Sequence, residues 1–180
     1  SFTEGFYGKP RVDTELLRKH HEGLIALSAC LSGEIPRRLC AGDYSGAVEA
    51  ARQMADIFGP DHFCIEIQNH RLPEEKQILP QLVRLARELE LPLVATNDCH
   101  YLRREDAGMQ EILTCIATNR TLQDGGRVSF ATDEFYYKTT AEMQALFSAF
   151  PEALENTVKI AARCSVELDF SHTYLPRFPC

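Results

Sequence analysis

The sequence predicts an α/β fold in which parallel strands carry helices on their outside, followed by a mainly helical connector. Short apolar, β-leaning runs recur at 24–28, 63–68 and 92–97, and helical stretches fill the intervals between them. Crossovers of that length join parallel strands, since antiparallel neighbours need only a tight turn. After about residue 120 the alternation stops, so 1–120 reads as one βα unit and 121–180 as the connector. Three strands cannot close a barrel, which takes about eight. The sheet is therefore open, or most of its strands lie outside this sequence.

Taken in order, residues 1–12 are an irregular lead-in with Phe2, Phe6 and Tyr7 among glycines. Asp13 caps a helix over about 14–21, with Glu15 early and Arg18 and Lys19 late, as the helix dipole prefers. Gly23 ends it before the first strand. A helical stretch from about Glu34 to Leu39 breaks at Gly42-Asp43. A longer amphipathic helix then runs from about Tyr44 to Phe58, with Ala47, Ala51, Met54 and Phe58 on one stripe. Gly59-Pro60-Asp61 turns into the second strand, where Ile65 and Ile67 face one way and Glu66 and Gln68 the other. Pro73 opens the next helix at a tolerated position, and Leu82, Leu85, Ala86 and Leu89 continue its stripe. Pro80, well inside it, is expected to kink or split that helix. The third strand leads to a helix from about Arg104 to Ala117. Beyond a loop at 121–130, Glu134 to Lys138 reads as a short aromatic strand. Thr139 to Glu142 is a capping box opening a helix through Phe147, and Pro151 starts the last helix. Residues 165–180 read as an extended connector.

With 44% hydrophobic and 25% charged residues the composition is that of an ordinary globular protein. A net charge of −7 argues against this surface being a nucleic-acid footprint. No apolar run approaches a membrane span, and no basic region precedes an apolar one at the start, so neither a membrane partner nor a secretory leader is expected. Seven scattered cysteines without a C-x-x-C suit a reducing cytoplasm.

In parallel α/β architectures the working face lies at the carboxyl ends of the strands. There the sequence places Cys30 after the first strand, Glu66 with His70 at the second, and Asp98 with His100 at the third. In an extended chain Asp98 and His100 point the same way, offering a carboxylate and an imidazole side by side, as Zn²⁺ or Mn²⁺ prefers. Each residue also has a plainer reading. His100 can be a satisfied histidine, Asp98 a helix cap and Cys30 a small buried side chain. Glu66, costly inside an apolar strand, can pair with an arginine, and His70, in a polar turn, reads as solvated. Five ligand-type residues at three successive strand ends, Cys30, Glu66, His70, Asp98 and His100, point to a divalent metal site. The sequence contains no P-loop, G-x-G-x-x-G, H-E-x-x-H or G-x-S-x-G, and no residue is assigned a catalytic role.

Several stretches are those of a known family. Phe6-Tyr7-Gly8-Lys9-Pro10-Arg11-Val12-Asp13, Gly23-Leu24-Ile25-Ala26-Leu27-Ser28-Ala29-Cys30-Leu31 and Gly33-Glu34-Ile35-Pro36 come first. Ile65-Glu66-Ile67-Gln68-Asn69-His70, Val94-Ala95-Thr96-Asn97-Asp98-Cys99-His100-Tyr101 and Asp133-Glu134-Phe135-Tyr136 follow in order, then Leu175-Pro176-Arg177-Phe178-Pro179. Together they resemble the alpha subunits of bacterial DNA polymerase III, in the later part of their PHP (polymerase and histidinol phosphatase) domain and the lead into the palm. The resemblance implies a partial PHP-type βα barrel, whose full form has seven strands and binds up to three metal ions. It implies Asp98 and His100 as the closing D-x-H ligand pair and Cys30 at a strand-end position filled by histidine or cysteine. It also implies that the opening H-x-H ligands and the palm aspartates lie outside this sequence, leaving the site for Zn²⁺, Mn²⁺ or Mg²⁺ incomplete here.

The function implied is that of a fragment of a replicative polymerase, whose parent extends DNA by nucleotidyl transfer, with a possible phosphoesterase or 3′–5′ exonuclease role at the PHP site. Its partners would be the rest of the alpha chain, DNA and other replisome subunits, in the cytoplasm. The alternatives are a free-standing metal-dependent PHP phosphoesterase and a non-catalytic scaffold or partner-binding module.

Overall fold

The computed structural model describes residues 5–6, 8–59, 61–125 and 130–172. The readings made above for Phe2, Tyr7, Pro60, 126–129 and 173–180 fall outside them. Helix α1 (Thr14–Lys19) starts where expected, with Asp13 Oδ1 accepting from the Leu16 N–H at 2.8 Å. Strand β1 (Ala26–Leu27) is followed by α2 (Glu34–Cys40) and α3 (Tyr44–Phe58), which lead to β2 (Phe63–Ile67). Helix α4 (Pro73–Glu88) joins β2 to β3 (Leu93–Ala95). The three strands form one parallel sheet in the order β1-β2-β3, with Leu27 opposite Cys64 and Glu66 opposite Val94. The fold is α/β, a parallel sheet with helices outside, as a partial PHP-type barrel requires.

All five residues of β2 are buried, which is what a central parallel strand covered on both faces demands. Ile65 and Ile67 pack with Leu39 and Ala51 of the preceding helices and with Leu82 and Leu85 of α4. Strand β1 is shorter than predicted, and Leu24 before it and Leu27 within it stay exposed. It sits at the sheet edge, with β2 as its one strand neighbour among the described residues. Helix α4 is not split at Pro80. Pro80 deprives the Lys76 carbonyl of its donor, but both residues are exposed, where water can replace the lost bond.

A 3₁₀ turn (Arg104–Asp106) leads into α5 (Ala107–Ala117), and α6 (Thr140–Leu146) begins with the expected capping box. Helix α7 (Pro151–Arg163) packs on β3, where Asn156 Nδ2 donates to the Leu93 carbonyl at 2.8 Å and blunts the sheet edge. Phe147 and Ala153 enter the same core as β2. The aromatic stretch 134–138 is not a strand. It makes a single parallel bridge, Tyr101 to Tyr136, because side chains take the carbonyls a ladder would use. Asn97 Nδ2 donates to the Glu134 and Tyr136 carbonyls at 3.2 and 2.7 Å, and the Lys138 ammonium also donates to the Glu134 carbonyl.

Candidate metal centre

Each strand is followed within four residues by one with left-handed backbone: Ala29 after β1, Arg71 after β2 and Asp98 after β3, with φ of 67°, 64° and 43°. Such geometry in non-glycine residues costs free energy and concentrates at functional sites. These turns lie beside or at the sequence-predicted site residues. At the first, the Gly33 N–H donates to the Cys30 carbonyl at 2.8 Å, and a side chain on Gly33 would meet the Ser28 carbonyl oxygen at 2.4 Å. Only glycine allows the turn that carries Cys30 to close so tightly.

Cys30 and Glu66 line one small cavity of about 20 Å³ with Gln68 and Glu75. Glu66, 8% exposed, is held by neutral donors, namely Gln68 Nε2 at 3.0 Å and the Thr96 hydroxyl, both on its Oε1. Those bonds offset the cost of burying its carboxylate.

His70 is not solvated but is 1% exposed. Its Nδ1 lies 2.5 Å from Glu75 Oε1, and its Nε2 donates to the Asn97 carbonyl at 2.8 Å. Its ring stacks on Phe135 with centroids 3.9 Å apart. The left-handed Arg71 turns the chain into α4, whose first turn brings Glu75 back over the imidazole. Glu75 Oε2 also accepts from the His70 N–H at 2.6 Å.

At the third strand end the left-handed φ of Asp98 breaks the extended alternation that would have aimed Asp98 and His100 together. The loop curls instead, and His100 Nδ1 donates to the Asp98 carbonyl at 2.6 Å. That bond leaves the lone pair on Nε2, the arrangement of a histidine ready to ligate. The His100 ring is exposed, 4.6 Å from Phe130 and 5.4 Å from Phe135. In the same loop, the buried Asn97 Oδ1 has no hydrogen-bond partner among the described residues. Such an acceptor calls for a donor or a cation.

The donor chemistry of Cys30, Asp98 and His100 fits a divalent metal. The number of donors at one point does not reach a full set. Among the described residues no group of three or more His, Cys, Asp and Glu side chains is placed to hold an ion. The structure brings Cys30 to Glu66 and His100 to the Asp98 backbone. Glu75, Asn97 and Phe135 were missed from sequence. An acid in the first turn after His70 was a usable signal for Glu75, whereas Asn97 and Phe135 act across 37 and 65 residues of chain and left none.

Residues 1–70 match the family model described as PHP domain. Over 178 residues, 99% of this chain, the sequence is 47% identical to the DNA polymerase III subunit alpha of Treponema pallidum. It is 46% identical to that of Thermus aquaticus over 99% of the chain, and 40% identical to that of Helicobacter pylori over 94%. The chain is homologous to a segment of DNA polymerase III alpha subunits. It spans about 15% of the length of these relatives. Among the described residues no helix is long and apolar enough to cross a membrane.

In this alpha-subunit-like segment the 134–142 stretch is pinned by charge. Glu134, 2% exposed, meets Arg71 Nε at 3.0 Å, Arg104 Nη2 at 3.1 Å and Lys138 Nζ at 3.1 Å. Burial pushes its carboxyl up, but the hydrogen bond and charge of Lys138, with Arg104 and Arg71, hold it below the ordinary value. Glu142, held by the Tyr136 hydroxyl and by Thr139, is lowered to about 2. Both folded-state values lie below the unfolded ones, so their stabilisation is complete above the ordinary carboxylate value and is lost as pH falls through the folded ones. Thermal melts should therefore drop between pH 4.5 and 2, and Glu134→Gln/Glu142→Gln should flatten that drop. An unchanged slope in the double variant would refute the assignment.

Proposed function

We propose that this chain is a PHP-domain segment of a replicative DNA polymerase alpha chain, and that Cys30, Asp98 and His100 contribute ligands to a divalent metal completed by residues outside it. The observation that carries the reading is the His100 ring, held at Nδ1 by the Asp98 carbonyl with Nε2 free to ligate. Glu66 lines the Cys30 side of the site, and His70 is built into the turn beside it. We divide the segment into a barrel part at 1–120 and a connector at 121–180, whose Phe147 and Ala153 complete the barrel part's core. A bound Zn²⁺, Mn²⁺ or Mg²⁺ would activate water and neutralise phosphate charge, supporting phosphoester hydrolysis such as 3′–5′ proofreading. DNA synthesis would belong to other parts of the polypeptide, which with DNA and further replisome subunits are its partners in the cytoplasm.

A second reading, a scaffold without chemistry of its own, is favoured by the incomplete donor set. Elemental analysis of the intact polypeptide decides between them. The first reading expects bound metal that Asp98→Ala/His100→Ala removes, together with any nuclease activity. Metal content and activity unchanged by that double substitution would leave the scaffold.

A further inference from the structure

We infer that His70 is a positioning residue for the Asn97–His100 loop, acting through one hydrogen bond, from its Nε2 to the Asn97 carbonyl. The inference rests on the reading of Asp98 and His100 as ligands and extends it to a residue that touches no metal. Three observations carry it. The imidazole is almost fully buried, and its other nitrogen is fastened to Glu75 on α4, a rigid element. The group it holds is the carbonyl immediately before Asp98, the point where the chain leaves extended geometry. Phe135 stands between the two histidines, stacked on His70 and edge-on to His100, while its carbonyl accepts from the His100 N–H at 2.8 Å. The loop is thus gripped from one side by His70 and from the other by 134–136, where Asn97 Nδ2 is also bound. Groups that orient ligands in this way typically change metal affinity about 10–100-fold when removed.

Two substitutions separate positioning from packing. Glutamine places an N–H donor near where Nε2 stands, keeping the bond to Asn97 and losing Glu75. Asparagine places one near Nδ1, keeping Glu75 and losing Asn97. In the intact polypeptide, Zn²⁺ titration should show His70→Gln within about threefold of the parent and His70→Asn weaker by about 10–100-fold. Both should lower the melting temperature. Equal losses of affinity in the two, or none in either, would overturn the inference.

Amide hydrogen exchange without metal keeps it distinct from the ligand reading. If Asp98→Ala leaves Zn²⁺ affinity unchanged, the ligand reading falls, yet His70→Asn should still exchange the His100 amide at least about tenfold faster than His70→Gln. Equal exchange would refute the positioning role by itself. Should His70→Asn lose protection throughout the core, His70→Met, which fills the volume without a donor, takes its place under the same readings.

Discussion

Glu134→Ala should destabilise the chain by about 3–5 kcal/mol, the cost of leaving a buried charge without its partner. The Lys138 side chain is 2% exposed, and its ammonium has Glu134 as its ion-pair partner among the described residues. Removing the carboxylate leaves that charge with the Glu134 backbone carbonyl and the face of Tyr136, 4.1 Å from the ring centroid. Arg71 and Arg104 lose a partner too, but both reach solvent and add little. Urea unfolding measures the change. Replacing both ends with apolar residues, Glu134→Leu/Lys138→Met, should recover most of it, because the penalty comes from the orphaned charge rather than from the missing pair. A single-variant loss below about 1 kcal/mol would mean that Lys138 escapes to water and that the pair is no more than a surface bridge.

Phe147→Ala should cost about 3–5 kcal/mol, as deletion of a fully enclosed aromatic ring does. Phe147 lies just past α6, in the stretch that sequence marks as a connector, yet it is 2% exposed within the core built around β2. Val158 of α7, 69% exposed, is the control, and Val158→Ala should stay within about 0.5 kcal/mol. Unfolding should remain a single transition in Phe147→Ala, since one core serves both parts. A separate early transition of α6 and α7, with β2 still protected in hydrogen exchange, would show instead that the connector unfolds by itself.

Local order was legible along the chain before any fold was known. Alternation and stripe spacing placed the three strands and the helices between them, because burial of one face sets period 2 in a strand and 3.6 in a helix. Asp13, Thr139, Pro73 and Pro151 announced helix starts through groups that act within one turn. The strand-end residues were also legible, since a parallel sheet exposes its carboxyl ends by topology alone. The rest depended on the fold, mostly through partners distant in sequence. His70 looked like a turn histidine until Asn97 and Phe135 enclosed it. Glu66 found neutral donors in Gln68 and Thr96 rather than a cation. Asp98 left the extended conformation that the D-x-H spacing assumed, because Asn97 and His100 are bonded to carbonyls of 134–136. The aromatic stretch gave up its ladder for those same side-chain bonds. A period reports which face is buried; only the fold decides which groups meet there.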